Sequence, residues 1–576
     1  MSGWSRALVG GVLLSCVAAA PGGVAPAPPP GAGGMRELIE ECQADRGALG
    51  RFYSVDVSPA RVGRLRTAAR DWLARLDALD FEAFDEDGRI DWLLLHHDLE
   101  GDLERLARDE KRAGEAAPLV PFAPGIVELA EARQRVEPLE GEAAARALDA
   151  LARELADAKK TLADHPPEVA KSLANRAAGE VEELARALQR WYDFRAGYDP
   201  LFTWWARVPY ESLKKDLEAY AKELREKLAG LEEDDEETII GDPIGRDALV
   251  QELATAWIPY TPEELIQVAE REFAWCETEM KRASNEMGLG DDWKQALERV
   301  KQDHVAPGEQ PALIQALARE AWDYVEVNDL VSVPPLAKEV WRMNMLSPER
   351  QRTSPFFLGG ESILVSYPTD AMTHEEKLMS MRGNNRHFCR ATVHHEVIPG
   401  HHLQGFMTDR YFAYRQMFST PFWTEGWALW WEMLLWEKGY VATPEDRVGA
   451  LFWRMHRCAR IQFSLSFHLG KMTPQECIDF LVERVGHERE NAEAEVRRSF
   501  NGDYGPLYQI AYMIGALQFR GLYAELVRSG KMSARDFHDA VLRSGNMPIE
   551  LVRARLADLP LTRDFRAGWR FYDLTK

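Results

Sequence analysis

Cysteine is scarce in this chain: six in 576 residues, at positions 16, 42, 276, 389, 458 and 477. Their wide scatter excludes a disulfide framework and a Cys-x-x-Cys metal knuckle. Positive charge is short as well, since 70 lysines and arginines face 93 acidic residues for a net charge of -23. That balance argues against nucleic acid as the main partner, because phosphate binding needs basic patches. The apolar stretch 7–20 is too short to span a bilayer. Histidine is the last scarcity, with fourteen in all, yet four of them fall in residues 394–402.

The first 34 residues differ in character from the rest. A short start with Arg6, the apolar stretch and then PGGVAPAPPPGAGG resemble a secretory signal followed by a flexible spacer. The expectation is an exported protein, periplasmic or held at the cell envelope. Leu13-Leu14-Ser15-Cys16 loosely resembles a bacterial lipobox, with leucine at an imperfect second position; a lipid on Cys16 would attach the chain to a membrane. The plainer alternative is an uncleaved N-terminus.

Length favours a large core or several domains. From 35 to about 230 the text is helical almost throughout, with apolar residues at three and four spacing and charges on the faces between them, and the N-terminal helical part is taken as 35–240. LFTWWARVPY, at 201–210, interrupts that pattern, and Trp204 and Trp205 either line a pocket or pack in a core. The acidic connector 232–242 separates this N-terminal helical part from a second part, 241–576, that carries the metal motif and is expected to form one continuous fold with the first. A solvated loop suits the connector better than a calcium site, because its spacing is not that of an EF-hand. Helical text resumes at Thr261, where Glu264 completes a capping box. At 356–368, FFLGGESILVSYP has the glycines and β-branched residues of a short strand. Such a strand is either an edge for an extended peptide or a structural hairpin.

The histidines stand in TVHHEVIPGHHLQ, residues 392–404. An ordinary zincin helix carries H-E-x-x-H, which puts two imidazoles on one face beside a glutamate. Here Pro399 occupies the place of the second ligand, and His401 and His402 follow two residues late. On an unbroken helix His401 would lie about 600° around from His395, off its face. The motif therefore predicts a break at Pro399 and Gly400, since proline cannot donate to the His395 carbonyl and glycine tolerates a reset turn.

Neighbours on a helix point about 100° apart, so one histidine of each pair faces a metal. His395 is preferred because it precedes Glu396, the carboxylate placed to take a proton from water; His401 is the second ligand, and His394 and His402 support the site or face substrate. A catalytic zinc takes three protein ligands and keeps a position open. Glu425, at the head of the apolar helix in STPFWTEGWALWWEMLLWE, is the preferred third ligand, since a carboxylate there is costly unless paired or metal-bound. Its bland alternative is a helix N-terminal acid stabilised by the dipole. Asp409 competes less well, and Glu432, one heptad on, would serve behind the ligands.

VHHEVIPGHHLQ, TEGWALWWE, RCARIQFSLSFHLGKMTPQE and YGPLYQIAYMIG, in that order, resemble the bacterial family of domain of unknown function 885, over most of 35–576. That family is similar to the gluzincin, or thermolysin-like, metallopeptidases. The resemblance implies a mostly α fold, a two-lobed helical shell around a deep cleft, with a small β-sheet near the active-site helix. It also implies His395, His401 and Glu425 as zinc ligands and Glu396 as general base. By the same resemblance Tyr512 would donate to an oxyanion, and Arg460 and His468 would bind substrate. Where relatives often have an aspartate before that histidine, this chain has Ser464.

The expected activity is zinc-dependent hydrolysis of a peptide substrate. The alternative is a non-catalytic exported protein of the same fold that binds metal or peptide; the intact histidine and glutamate set argues against it. A di-iron bundle site is excluded by the lack of paired Glu-x-x-His repeats.

Overall fold

The computed structural model describes residues 34–232, 238–351 and 356–575. The leader with Cys16, and residues 233–237 of the acidic connector, lie outside the described residues. The amphipathic text forms helices from Gly34–Phe52 through to Ile549–Leu556, and the fold is mostly α. Among the described residues there is one two-stranded parallel sheet, β1 (Arg342–Met345) beside β2 (Ser362–Val365), with Arg342 opposite Ser362 and Met345 opposite Val365. The strand expected in 356–368 is β2. Its other side pairs with Leu358, in an antiparallel bridge across the Gly359–Gly360 turn. Both sides of β2 are therefore taken, and the stretch is a structural hairpin rather than a free edge.

Two hydrophobic cores organise the helices. The smaller is a bundle in which the helices Gly141–Asp164 and Lys171–Asp193 both pack on Pro200–Leu224, closed by leucines 148, 151, 155 and 184 and by small residues such as Ala177 and Ala178. The larger core takes side chains from residues 35–99 and again from 249–561. The N-terminal helical part thus contributes to both. One reason is Arg415, fully buried, which donates from Nε to Asp91 Oδ1 at 2.7 Å and from Nη1 to the Ser544 carbonyl at 2.7 Å. Tyr414 donates to the other Asp91 oxygen, so the helix Glu86–Ala116 is tied to the later half of the chain.

The aromatic stretch at 201–210 does not interrupt its helix. Asp199 caps Pro200–Leu224 and Pro209 lies inside it. Trp204 is 79% exposed and Trp205 44% exposed, so the pair neither lines a pocket nor packs in a core. Thr261 and Glu264 do form the expected capping box.

The centre of the larger core is the tryptophan helix, Pro421–Lys438. Thr420 accepts from the Trp423 amide, Pro421 fills the first turn without needing a donor, and Gly439 ends the helix in the left-handed region at φ 83°. Apolar residues ring it on every side, the signature of a fully surrounded helix, and Trp423, Trp427, Trp430 and Trp431 are all buried. It crosses the tyrosine helix, Tyr508–Tyr523, glycine against glycine: a Cβ on Gly426 would lie 2.6 Å from Gly515, and one on Gly515 would lie 2.2 Å from the Phe422 carbonyl oxygen. Only that close approach sets Glu425 beside Tyr508 and Tyr512.

Candidate metal centre and active site

The histidine motif forms two helices, Arg386–Glu396 and His401–Thr408, with residues 397–400 between them. Asn385 opens the first by accepting from the His387 and Phe388 amides. At the break a Cβ on Gly400 would lie 1.8 Å from the His395 carbonyl oxygen, so no larger residue fits. The Pro399 carbonyl, which has no place in a helical ladder, accepts from the Trp427 indole at 2.9 Å. The break predicted at Pro399 and Gly400 is present, and the tryptophan helix secures it.

Through this break His401 returns to His395, the two rings lying 4.8 Å apart and nearly perpendicular. Glu425 Oε2 is 3.2 Å from His401 Nε2 and 3.6 Å from His395 Nε2. Glu396 Oε2 is 4.0 Å from His401 Nε2. All four side chains are nearly buried. His395, Glu396 and His401 have ligand atoms mutually within 4.8 Å, so either glutamate can be counted as a third ligand. Glu425 is the better choice. Ligands about 2.1 Å from a tetrahedral zinc stand roughly 3.4 Å apart, which matches its two distances and not that of Glu396.

The surroundings fix the protonation of this group. His395 donates from Nδ1 to Glu432 Oε1 at 2.6 Å, turning its Nε2 toward the cluster. Burial alone would lower that imidazole, but its bonds to Glu425 and Glu432 and the charge of Glu396 hold it up, to about 9. Burial would likewise raise Glu425; the two imidazoles outweigh it and keep the carboxyl well below the usual range. Glu396 goes the other way, raised by burial against the opposing histidines. Its Oε2 and His401 Nδ1 are buried without a hydrogen-bond partner. The hairpin turn lies directly over the carboxylate, so that a Cβ on Gly359 would meet Glu396 Oε2 at 2.0 Å.

These groups open on a cavity of about 740 Å³. A second, of about 540 Å³, meets it at Ser419, Thr424, Glu425 and Tyr508. Tyr508 donates to Glu425 Oε1 at 2.5 Å, and Tyr512 donates to the Tyr508 hydroxyl at 3.4 Å. Burial pushes the Tyr512 hydroxyl up to about 12, so it stays a donor. Its ring stacks on His395 at 6.2 Å. Arg460 lines the same cavity. His402 does too, but donates from Nε2 to the Ala337 carbonyl at 2.8 Å, so one of its nitrogens is occupied in holding the wall. Asp409 accepts from Gln416 and stands apart from the ligand cluster.

Two candidates lie away from the cavity. His394 donates to the Arg390 carbonyl and packs against Tyr440. His468, expected to bind substrate, is not brought to the site. It follows Arg460 by eight residues, about 12 Å along a helix, and packs between Phe467 and Phe500. Sequence reasoning also passed over Arg457, Arg498 and Glu495. Arg457 is three residues before Arg460, on the same helix face, and that spacing was the only available signal. Arg498 and Glu495 come from another helix, Arg489–Phe500, with no motif to announce them.

Residues 48–556 match the family described as "Bacterial protein of unknown function (DUF885)". The chain belongs to this family. The DUF885 fold recurs in two solved structures. One, described as a "putative lipoprotein of unknown function" from Shewanella oneidensis, is 16% identical, with 91% of this chain and 100% of that one covered and a TM-score of 0.68. The other, a "putative lipoprotein" from Colwellia psychrerythraea, is 14% identical, with 91% and 97% covered and a TM-score of 0.59. No curated protein matches this DUF885 chain. No helix of the described residues is long and apolar enough to cross a membrane.

Proposed function

We propose that the chain is an exported zinc-dependent peptidase of gluzincin-like chemistry. The observation that carries this reading is the convergence of His395, His401 and Glu425, with the partnerless Glu396 oxygen beside them. Two imidazoles and one carboxylate are a donor set that suits zinc and leaves a coordination position open. Zinc held there would supply a Lewis acid that polarises a peptide carbonyl and makes a water more acidic.

The rest is the work of the chain's own residues. Glu396, raised by burial, is matched to accept a proton from water at Oε2 and deliver it to the leaving amine. Glu432 holds His395 in one tautomer, and Tyr508 holds Glu425. Tyr512, protonated and facing the cavity, would turn its proton from the Tyr508 hydroxyl to the developing oxyanion; one such donor contributes on the order of 3 kcal/mol. Gly359 and the buried surroundings keep bulk water from Glu396.

Metal analysis of the purified chain should give about one zinc per molecule. Glu396→Gln should keep that zinc and lose hydrolysis of a mixed peptide library by about 10²–10⁴-fold. Full activity in that variant would overturn the reading, and turnover by neither protein would favour a binding role. The leader-like composition and the names of the two structural relatives support attachment to the cell envelope through Cys16. Cys16→Ser should then move the protein from the membrane fraction to the soluble fraction, and an unchanged distribution would refute the anchor.

A further inference from the structure

Three arginines line the cavity beside the metal group: Arg457 and Arg460 from the helix Pro444–His468, and Arg498 from Arg489–Phe500. The guanidinium carbons of Arg457 and Arg460 sit 4.4 and 4.5 Å from the centre of the Tyr512 ring, the ring that stacks on His395. Arg498 lies over Tyr504, at 4.8 Å. All three side chains are at most 7% exposed. Among the described residues, Nε of Arg457 and of Arg498, and Nη1 of Arg460, are buried without a hydrogen-bond partner, while Nε of Arg460 pairs with Glu495.

Ion pairs do not make up the shortfall. Arg460 and Arg498 share one carboxylate, Glu495, at 2.8 and 3.8 Å, and Arg457 reaches Glu432 only at 4.0 Å. Glu432 is already bonded to His395. Within 4.0 Å the three cations therefore have two carboxylates, one of them committed elsewhere, with Glu396 acting on Arg457 from farther off. A buried cation with unmet donors is costly unless an anion comes to it, and guanidinium forks suit carboxylates, which they hold through paired hydrogen bonds.

We infer that this arginine wall binds a carboxylate of the substrate, beside the bond that Glu396 serves. The inference rests on the peptidase reading and narrows it. A chain spans at most about 3.5 Å per residue, so an anion held one aromatic ring beyond His395 belongs to a residue one or two places from the cleaved bond. A cavity of about 740 Å³ suits a short ligand. The substrate class is then a short peptide cleaved near its free C-terminus, or one with an acidic side chain next to the cleaved bond.

Three matched peptides test this on the full zinc-loaded chain: a neutral free acid, its C-terminal amide, and the amide with one glutamate. The free acid or the glutamate amide should exceed the neutral amide in kcat/KM by at least about tenfold, as expected for hydrogen bonds to a charged group. Recovery with the glutamate peptide would assign the carboxylate to a side chain, and no recovery would assign it to the terminus. Equal turnover of all three peptides would overturn the inference and leave the peptidase reading intact. Arg457→Gln, which leaves the Glu495 pairs in place, should bring the acid-to-amide ratio toward one, whereas a merely structural arginine would slow both peptides alike. Calorimetry of the three peptides on Glu396→Gln reads the same preference without turnover. Equal affinities of all three there would overturn the arginine wall even if no peptide is hydrolysed.

Discussion

The helical bundle and the part that carries the histidine and glutamate cluster are built from similar helices but bury different things. Between Ala116 and Ala229 no polar or charged described residue is buried, and the bundle closes on leucine, alanine and a few aromatics. Between Asn384 and Glu550 the interior holds His394, His395, Glu396, Glu425, Arg457, Arg460, Glu495, Arg498 and others. Burying such groups opposes folding unless each finds a partner. Their concentration in one region marks where the fold gives up stability for chemistry, while the bundle is free to be plain packing.

The sharpest way to break the contrast is to neutralise one charge in each region. Glu495 is fully buried and holds two arginines, so Glu495→Gln should destabilise the chain by about 3–5 kcal/mol, because it leaves buried cations unpaired. Glu182 pairs with Arg225 on an exposed face, and Glu182→Gln should cost no more than about 1 kcal/mol. Urea unfolding of the two variants checks both. Similar losses would mean that burial of charge is not what separates the regions.

Acid should separate them by sign. Burial holds His538 and His487 down to about 3 and His468 to about 4, against about 6.5 in an unfolded chain. Unfolded histidines bind more protons than folded ones in that window, so the stability they contribute falls as pH drops from about 6.5 toward 3. Glu180, half-buried in the bundle, is raised by that partial burial to about 7 despite Arg176 and Arg112. There the folded state binds the extra proton, and the bundle gains stability as pH drops from about 7 to 4.5. Hydrogen exchange at pH 7 and pH 5 should show protection decreasing around His538 and His487 and holding or rising in 171–193; a uniform loss would remove the distinction.

The same contrast governs what could be read from the chain alone. His395, His401, Glu396 and Glu425 were legible because metal chemistry restricts residue type and spacing, and the break was legible because Pro399 and Gly400 are the residues that make one. Glu432 was legible as a partner one heptad on, and it bonds His395 as expected. Tyr508 and Tyr512 stand on one helix face, and only the crossing at Gly426 and Gly515 puts Tyr508 on Glu425. The arginine wall was illegible because Arg498 and Glu495 meet Arg460 from a separate helix. His468 misled in the opposite way, since a residue within a motif still obeys helical rise and ends up two turns away.

Tryptophan makes the smallest and cleanest probe, because composition cannot tell its two uses apart. Trp204 and Trp427 both stand in the second turn of helices that begin with proline. Trp427 is fully buried and bonds the Pro399 carbonyl at the active-site break, whereas Trp204 is 79% exposed. Trp204→Ser removes little contact area from the folded state, so its unfolding midpoint should correspond to a change within about 0.5 kcal/mol. A loss above about 2 kcal/mol would mean that the face bearing Leu201, Trp204 and Val208, all exposed here, is covered in solution, and the bundle would then be an interface rather than simple packing.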